Sequence, residues 1–354
     1  MQNTKKYSII QNDSRLTLAK DWINELIISK SLDFNSLQTA SEDASFRRYF
    51  RINDLTGLKS MILMDSPPNK ESVKKFVDTS KIFYQAKLQV PKIFEINLED
   101  GFLILEDFGN KTYLEAYETK KKYVFHLLEN AWDNIIKLQS WGLKNPRKCS
   151  SRTAFSKQLL FNEMLLFNDW YLIEHLKINL LKNEKDNLKN TFKLLSDKMS
   201  NEPKVIVHRD FHSRNLMILD RDNPTGILDF QDAVLGPVSY DLASLLRDAY
   251  FNWDRKEEIV WAKIFWSRAK KTSIPIPNNF NDFLVDFDWN SIQRHLKILG
   301  IFCRLAHRDN KQKYLKDLNR VKIKCFEIIS KYKEFKSLLN LFEKIENISF
   351  INES

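Results

Sequence analysis

Glycine is scarce in this chain of 354 residues, seven in all, and no internal repeat is present. With a hydrophobic fraction of 43% and an aromatic fraction of 12%, this excludes disordered and fibrous classes and describes an ordered globular protein. Cysteine is rarer still. Cys149, Cys303 and Cys325 stand far apart with no paired spacing, so no disulfide framework or zinc site is expected, and a reducing compartment is. No apolar run approaches a membrane span, and Met1–Lys20 holds only short apolar pieces such as Ser8–Ile10 between Lys, Asn and Asp, so no signal peptide is expected. These absences predict a soluble, cytoplasmic protein without a membrane partner. The oligomeric state is open, and a monomer is compatible. A compact arginine-rich patch is also missing: the formal charge of +10 comes from lysines spread along the chain beside Asn, Ile and Phe. That pattern gives no nucleic-acid footprint.

Residues 15–30 place Leu16, Leu18, Ala19, Trp22, Ile23, Leu26 and Ile27 at helical spacing. Strands are predicted at Tyr49–Ile52 and Met61–Met64, joined by a turn at Asn53–Asp54 with Gly57 close by. A helix over Ser72–Leu88 and two more strands, Lys92–Asn97 and Gly101–Leu105, follow. After Gly109 the pattern becomes long and helical at Tyr123–Ser140, Lys157–His175 and Asn187–Met199. Short strands interrupt it at Val205–Val207, Leu216–Leu219 and Gly226–Leu228, and from Ser239 onward the chain is helical apart from a loop at Ile274–Pro277. In the tail, Lys311–Ile348, one or two amphipathic helices pack Leu315, Leu318, Val321, Phe326 and Ile329 inward. The expected class is α+β: a small N-terminal antiparallel-sheet lobe over 1–108 and a large, mainly helical C-terminal lobe over 109–354.

The strongest chemical signal is Val205-Ile-Val-His-Arg-Asp-Phe-His-Ser-Arg-Asn-Leu-Met-Ile218. An apolar strand delivers a polar loop and a second apolar strand takes the chain away. Phosphoryl transfer needs a carboxylate to orient an attacking hydroxyl and accept its proton, and Asp210 is the candidate. Asn215 follows five residues later and Asp229 lies beyond the return strand. One Asn and one Asp suit Mg²⁺, which takes few hard oxygen ligands and shares phosphate oxygens with ATP. His208 is expected to prop the loop. Asp107-Phe108-Gly109 spells a metal motif but precedes the loop; Glu106–Phe108 reads instead as a hinge whose backbone contacts adenine, and Asp229-Phe230-Gln231 holds the metal position.

On these residues the chain resembles the aminoglycoside phosphotransferase and choline kinase group, small-molecule relatives of the protein kinases. It is more narrowly similar to the bacterial kinases that phosphorylate N-acetylmuramic acid and N-acetylglucosamine at the anomeric carbon in cell-wall sugar recycling. Four segments carry that likeness: Asp43–Arg51, Met64–Pro68, Leu228–Asp248 and Gln293–Asp309. The resemblance implies a protein-kinase-like two-lobe fold and ATP-dependent phosphorylation of a sugar's C1 hydroxyl. The chain departs from the wider kinase pattern in having no Gly-x-Gly-x-x-Gly and in reading Ile62-Leu63-Met64-Asp65 where an ion-pairing lysine is usual. Arg47 and Arg48 are candidates to offset the triphosphate charge, with Ser45 allowing close backbone approach; alternatively the site uses an acid at Asp65.

For the acceptor, His212 and Gln231 flank the catalytic segments. Asp241, at the start of a helix, is read as a brace. Glu163 and Trp170 sit seven residues apart on one helix, hence on one face. Arg304 and Arg308, four apart, suit the lactyl carboxylate of N-acetylmuramic acid. A kinase of a cationic metabolite, aminoglycoside- or choline-kinase-like, is the alternative and would want an acid-lined pocket. A protein kinase is disfavoured by the missing Gly-rich loop, strand lysine and Ala-Pro-Glu element. A non-catalytic nucleotide-binding protein has no need of a general base such as Asp210.

Overall fold

Alternation builds the first sheet. In β2 (Arg48–Asp54) Phe50 and Ile52 point inward and their neighbours stay partly exposed. Strand β3 (Ser60–Asp65) pairs with β2 in unbroken antiparallel register, Phe50 opposite Leu63. β5 (Phe102–Glu106), which reads Phe-Leu-Ile-Leu, is buried through four consecutive residues, as a central strand covered on both faces must be. With β1 (Leu32–Ser41) and β4 (Ile93–Asn97) at the edges, the order is β1-β2-β3-β5-β4. Helix α1 (Ser14–Glu25) is capped by Asp13, whose carboxylate accepts from the Arg15 and Leu16 amides. Its Leu16, Ala19 and Ile23 pack with Leu32, Phe50, Ile52, Leu63, Phe102 and Ile104. Helix α2 (Val73–Gln85) buries Val73, Phe76, Val77, Ile82 and Phe83. The turn into β5 needs Gly101: its φ is +81°, and a Cβ there would lie 2.0 Å from the Ser66 carbonyl oxygen.

This computed structural model describes residues 13–26, 31–41, 46–119, 121–150, 152–220 and 224–353. They divide into two compact units, Met1–Tyr84 with Gln89–Asn110, and Gln85–Leu88 with Lys111–Ser354. The second unit is mainly helical, and the α+β class is as the pattern predicts. Its helices are α3 (Tyr113–Thr119), α4 (Lys121–Lys144), α5 (Lys157–Leu166), α6 (Lys182–Asn201), α7 (Tyr240–Leu246), α8 (Arg255–Ala269), α9 (Phe280–His307), α10 (Leu318–Ile329) and α11 (Lys336–Glu353). Two small ribbons, β6 (Lys204–Val207) with β9 (Val234–Pro237) and β7 (Leu216–Ile218) with β8 (Thr225–Ile227), are antiparallel. All three cysteines are buried and unpaired. No helix among the described residues is long and apolar enough to cross a membrane.

Helix α9 is the axis of this unit. Ile292, Leu296, Leu299 and Cys303 enter one core with Phe167 and Leu172, with Leu188, Phe192 and Leu195 of α6, and with Val321, Cys325 and Ile328 of α10. The helix expected over Lys157–His175 changes pitch: α5 ends at Leu166 and Phe167–His175 continue as a π-helix. At that junction the backbones touch, since a Cβ on Gly300 would lie 2.2 Å from the Leu166 carbonyl carbon. Strands β1 and β9 were not predicted. β1 is an edge strand rich in Asn, Ser, Gln and Thr with two register breaks, so it lacks the apolar alternation that marks a strand. β9 is four residues long and contains both a glycine and a proline. The helix expected over 15–30 ends at Glu25, and 27–30 lie outside the described residues.

Candidate active site

The loop between β6 and β7 is held by side chains at several backbone groups, because it runs through conformations that a chain does not hold unaided. Arg209 has φ +84°, a region costly for a residue with a Cβ. Asp241, from the first turn of α7, accepts the His208 amide at 2.7 Å and the Arg209 amide at 2.9 Å. Arg294 on α9 donates from Nη1 to the Arg209 carbonyl at 2.6 Å. The Asp210 amide donates to His208 Nδ1 at 3.2 Å, and Asn215 Nδ2 donates to the Asp210 carbonyl at 2.9 Å. Asp248 takes the Ser213 amide at 2.8 Å and the Tyr250 amide at 2.9 Å. With Nδ1 accepting, the His208 proton sits on Nε2, which donates to the Leu228 carbonyl at 2.8 Å. Burial lowers the pKa of this ring, in keeping with a neutral imidazole that donates at one nitrogen and accepts at the other. The loop is thereby tied to the strand end that carries Asp229.

Asn215 and Asp229 are brought together by that second ribbon. The Leu228 amide donates to the Asn215 carbonyl at 2.9 Å, and Asp229 follows with φ +57°. Gln231 Nε2 donates to Asp229 Oδ1 at 2.7 Å. Because the Asn215 amide nitrogen is taken by the Asp210 carbonyl, its side-chain oxygen is the atom left to ligate. No group of three His, Cys, Asp or Glu suited to a metal occurs among the described residues. One amide oxygen and one carboxylate fit a magnesium ion that would complete its shell with water and phosphate, and they supply none of the thiolate or imidazole donors that zinc and copper favour.

Asp210 keeps a side chain about a third exposed, with Arg294 Nη1 3.9 Å from Oδ1. Burial raises the pKa of this carboxyl, but Lys297, Arg294, His212 and Arg209 outweigh it and hold the pKa well below the usual carboxylate range. Behind the loop, buried Glu163 binds Arg209 Nη2, Gln293 Nε2 (2.8 Å) and, at 3.6 Å, Lys297 Nζ. Here too burial is opposed, by Lys297 and Arg209, and the carboxylate stays ionised. The arrangement presents an ionised, partly exposed carboxylate on a pinned loop, two side-chain oxygens that could hold a metal ion, and a surplus of positive charge.

Residues 36–270, more than half of the chain, match the phosphotransferase enzyme family. The chain belongs to it. This phosphotransferase is 35% identical over 343 residues to an N-acetylmuramate/N-acetylglucosamine kinase of Pseudomonas putida, covering 95% of this chain and 98% of that one. It is 40% identical over 281 residues to the protein of the same name in Pseudomonas aeruginosa, covering 79% and 80%. Among solved structures its fold is similar to a Plasmodium vivax ethanolamine kinase, with TM-score 0.59, 14% identity, and 91% and 94% of the two chains covered. A choline kinase of Streptococcus pneumoniae gives TM-score 0.58, 12% identity, and coverage of 87% and 98%. The predicted resemblance to the aminoglycoside phosphotransferase and choline kinase group is borne out.

The remaining candidates fall in several places. His212 lies within the loop of the phosphotransferase, its amide on the Asp210 carbonyl at 3.0 Å and its ring against Tyr250. Its Nδ1 is buried without a hydrogen bond. Asp241 caps no helix with its carboxylate, contrary to the reason for expecting a brace there; it holds the loop amides instead. Trp170 packs at the margin of the apolar core, because the π-helical pitch ends the seven-residue register with Glu163. Arg304 stands seven residues beyond Lys297, about 10 Å along α9, and Arg308 forms an ion pair with Asp309 at 2.8 Å.

In the first unit, Asp65 is fully buried and paired with Arg15 and Arg48, and Arg48 also pairs with Asp13. The acid on the strand is thus neutralised by arginines of its own unit. Arg47 pairs with Glu71, the Glu106 carboxylate accepts the Lys92 amide at 3.2 Å, and Phe108 is buried. Ser45 lies outside the described residues. Sequence reasoning passed over Asp248, Gln293, Arg294 and Lys297. For the three on α9 a signal was present: among the polar residues between Ile292 and Leu299, Gln293, Arg294 and Lys297 interrupt an apolar helix at positions that share one side.

Proposed function

We propose that this phosphotransferase moves the terminal phosphoryl group of ATP to the anomeric C1 hydroxyl of an N-acetylated amino sugar, N-acetylmuramic acid, N-acetylglucosamine or both. The observation that carries the reading is the Asp210 carboxylate, ionised and held on a loop whose backbone is pinned by Asp241, Arg294, His208 and Asn215. The names of relatives that align over most of the chain support the substrate class.

In this reading the acceptor hydroxyl donates to Asp210, which orients it and takes its proton as the oxygen–phosphorus bond forms. Asn215 and Asp229 would hold Mg²⁺, which when bound would neutralise phosphate charge. Gln231 keeps one Asp229 oxygen occupied and so fixes the orientation of that carboxylate. The buried His212 Nδ1, which makes no hydrogen bond, supports reading this ring as a contact for a sugar hydroxyl. The cationic surroundings of Asp210 favour a neutral or acidic sugar over a choline- or aminoglycoside-like cation. The cell compartment that suits the three free cysteines is the cytoplasm.

An ATP-consumption screen over N-acetylmuramic acid, N-acetylglucosamine, galactose, choline and kanamycin tests this. Turnover with one or both amino sugars is expected to exceed that with choline and kanamycin by at least about 100-fold, the ratio that a few kcal/mol of transition-state discrimination produces. Preferential use of choline or kanamycin would overturn the proposal.

A further inference from the structure

The ribbon of β6 and β9 has two ends. The loop that carries Asp210 leaves one of them, after Val207; at the other, Lys204 pairs with Pro237. At this second end lies a cavity of about 350 Å³, bounded by Glu202 beyond α6, Ser239 before α7, the face of α9 at Phe283 and Asp286, and the loop 275–278. That volume takes a small organic molecule. Val238, Ile276, Pro277 and Phe283 give it apolar walls, and Glu202 and Asp286 add two acids.

The two acids are unequally satisfied. Asp286 pairs with Lys198 Nζ at 2.6 Å. Glu202 is 8% exposed, and among the described residues it forms no ion pair. The other lysine at hand, Lys204, donates instead to the carbonyls of Met199, Ser200 and Glu202. The Glu202 carboxyl receives the Asn290 amide at 3.3 and 3.5 Å, and that nitrogen lies closer to Ser239 Oγ, at 2.7 Å. A buried carboxylate ordinarily gathers short hydrogen bonds or a paired cation; here two oxygens share one long donor. Phe283, Asp286 and Asn290 follow one another at three and four residues on α9 and so share a face. The Glu202 carboxyl therefore sits against the helix face that walls the cavity.

We propose that this cavity is a second binding site, for a small primary amine on an apolar body, whose ammonium pairs with Glu202 while the body lies between Val238, Ile276 and Phe283. An anion would meet two acids there, and an uncharged apolar molecule would leave Glu202 as under-partnered as before. The binding is linked to a proton. Burial and Asp286 on α9 push the Glu202 pKa up to about 8, against Lys198 on α6, Lys204 on β6 and the Asn290 hydrogen bond. Ser239 and the loop 275–278 bring no charge to the cavity. At neutral pH the carboxyl thus holds its proton, and a bound ammonium, which favours the ionised form, releases it. Affinity accordingly rises with pH through about 8.

Calorimetry of the full chain with benzylamine, and with benzyl alcohol as its uncharged counterpart of similar shape, tests this at about pH 8.5. Benzylamine is expected to bind with Kd below about 1 mM and at least about tenfold more tightly than the alcohol. Glu202→Gln is expected to abolish that preference. Ile276→Trp, which fills the cavity and keeps the acid, is expected to weaken benzylamine at least about tenfold. Lowering the pH to about 6.5 is expected to weaken wild-type binding about tenfold and to leave Glu202→Gln unchanged. Equal affinity for amine and alcohol would overturn the proposal, as would no binding of benzylamine up to about 10 mM. Benzylamine bound within about threefold of wild type by either variant, or a wild-type affinity flat in pH, would overturn it too. Melting temperatures of both variants are read first. Should one melt early, the other and the wild-type pH profile decide.

Discussion

Asp210→Asn is expected to lower turnover by about 10²- to 10⁴-fold, the span that a positioned general base contributes, and to leave ADP affinity within about twofold. The reason lies in what asparagine keeps and what it removes. The Asp210 amide and carbonyl are held by His208 Nδ1 and Asn215 Nδ2, so the loop retains its path. The proton acceptor is lost, and the carboxamide offers the acceptor hydroxyl a neutral oxygen. The charges around Asp210 add a pH dependence. Lys297, Arg294, His212 and Arg209 more than offset burial and depress its pKa. A depressed carboxyl pKa means the base is lost only as pH falls through that low value, well under the ordinary carboxylate range. The kcat profile of the wild type should accordingly show no protonation of Asp210 between about pH 5 and 8. Turnover of Asp210→Asn within about tenfold of wild type, measured by coupled ADP release, would remove Asp210 from the role of base.

The largest expected effect on stability belongs to a residue outside the chemistry. Arg247 is completely buried and stacks its guanidinium 3.9 Å from the Phe287 ring centroid. It donates to Glu258 at 3.2 Å, to Asp288, to the Ser291 hydroxyl at 2.7 Å and to the Phe287 carbonyl at 3.3 Å. Arg255, Lys324 and the Tyr332 hydroxyl complete the shell around the two acids. Arg247→Met is expected to destabilise by about 3–5 kcal/mol, the cost of leaving buried charges without their partner. Asp248, the next residue, holds the Ser213 amide, so activity should fall with stability.

The sign of the pH dependence follows from Glu258, whose pKa burial pushes up to about 7 against Lys324 and Arg255. A carboxyl raised in the fold binds its proton more tightly there than in the unfolded chain. Its contribution is fully present below the ordinary glutamate range and is lost as pH rises through about 7. Urea unfolding of Arg247→Met should therefore show a smaller loss at pH 5 than at pH 8. A loss under about 1 kcal/mol at both pH values would contradict the central place given to Arg247.

How far the sequence disclosed this protein depended on how local each signal was. The run from Val205 to Ile218 places apolar strands, polar loop and spaced Asp and Asn within one window, and the structure shows the same strand-loop-strand. The Asp107-Phe108-Gly109 motif was set aside on chain order alone, and Asp107 in fact binds Arg51 and Ser60. Asp65 was ambiguous because its answer is non-local: Arg15 and Arg48 reach it from 50 and 17 residues away. The same holds for Glu163, which meets Arg209 across 46 residues and Gln293 across 130. Arg304 and Arg308 drew attention by spacing, while Arg294, earlier in α9, is the residue that reaches the loop. Periodicity tells which side of a helix is buried; it does not tell which buried polar residue meets a loop from elsewhere in the chain. The pitch change at Phe167 has no local marker in an apolar run.

The central claim, phosphorylation of an amino sugar at its anomeric oxygen, is tested most directly by the product. The full-length protein with ATP, Mg²⁺ and N-acetylglucosamine or N-acetylmuramic acid is examined by proton-coupled phosphorus NMR. A new phosphomonoester signal split by the single anomeric proton is the predicted result. A signal coupled to the two protons of the C6 methylene, or inorganic phosphate alone, would contradict the account.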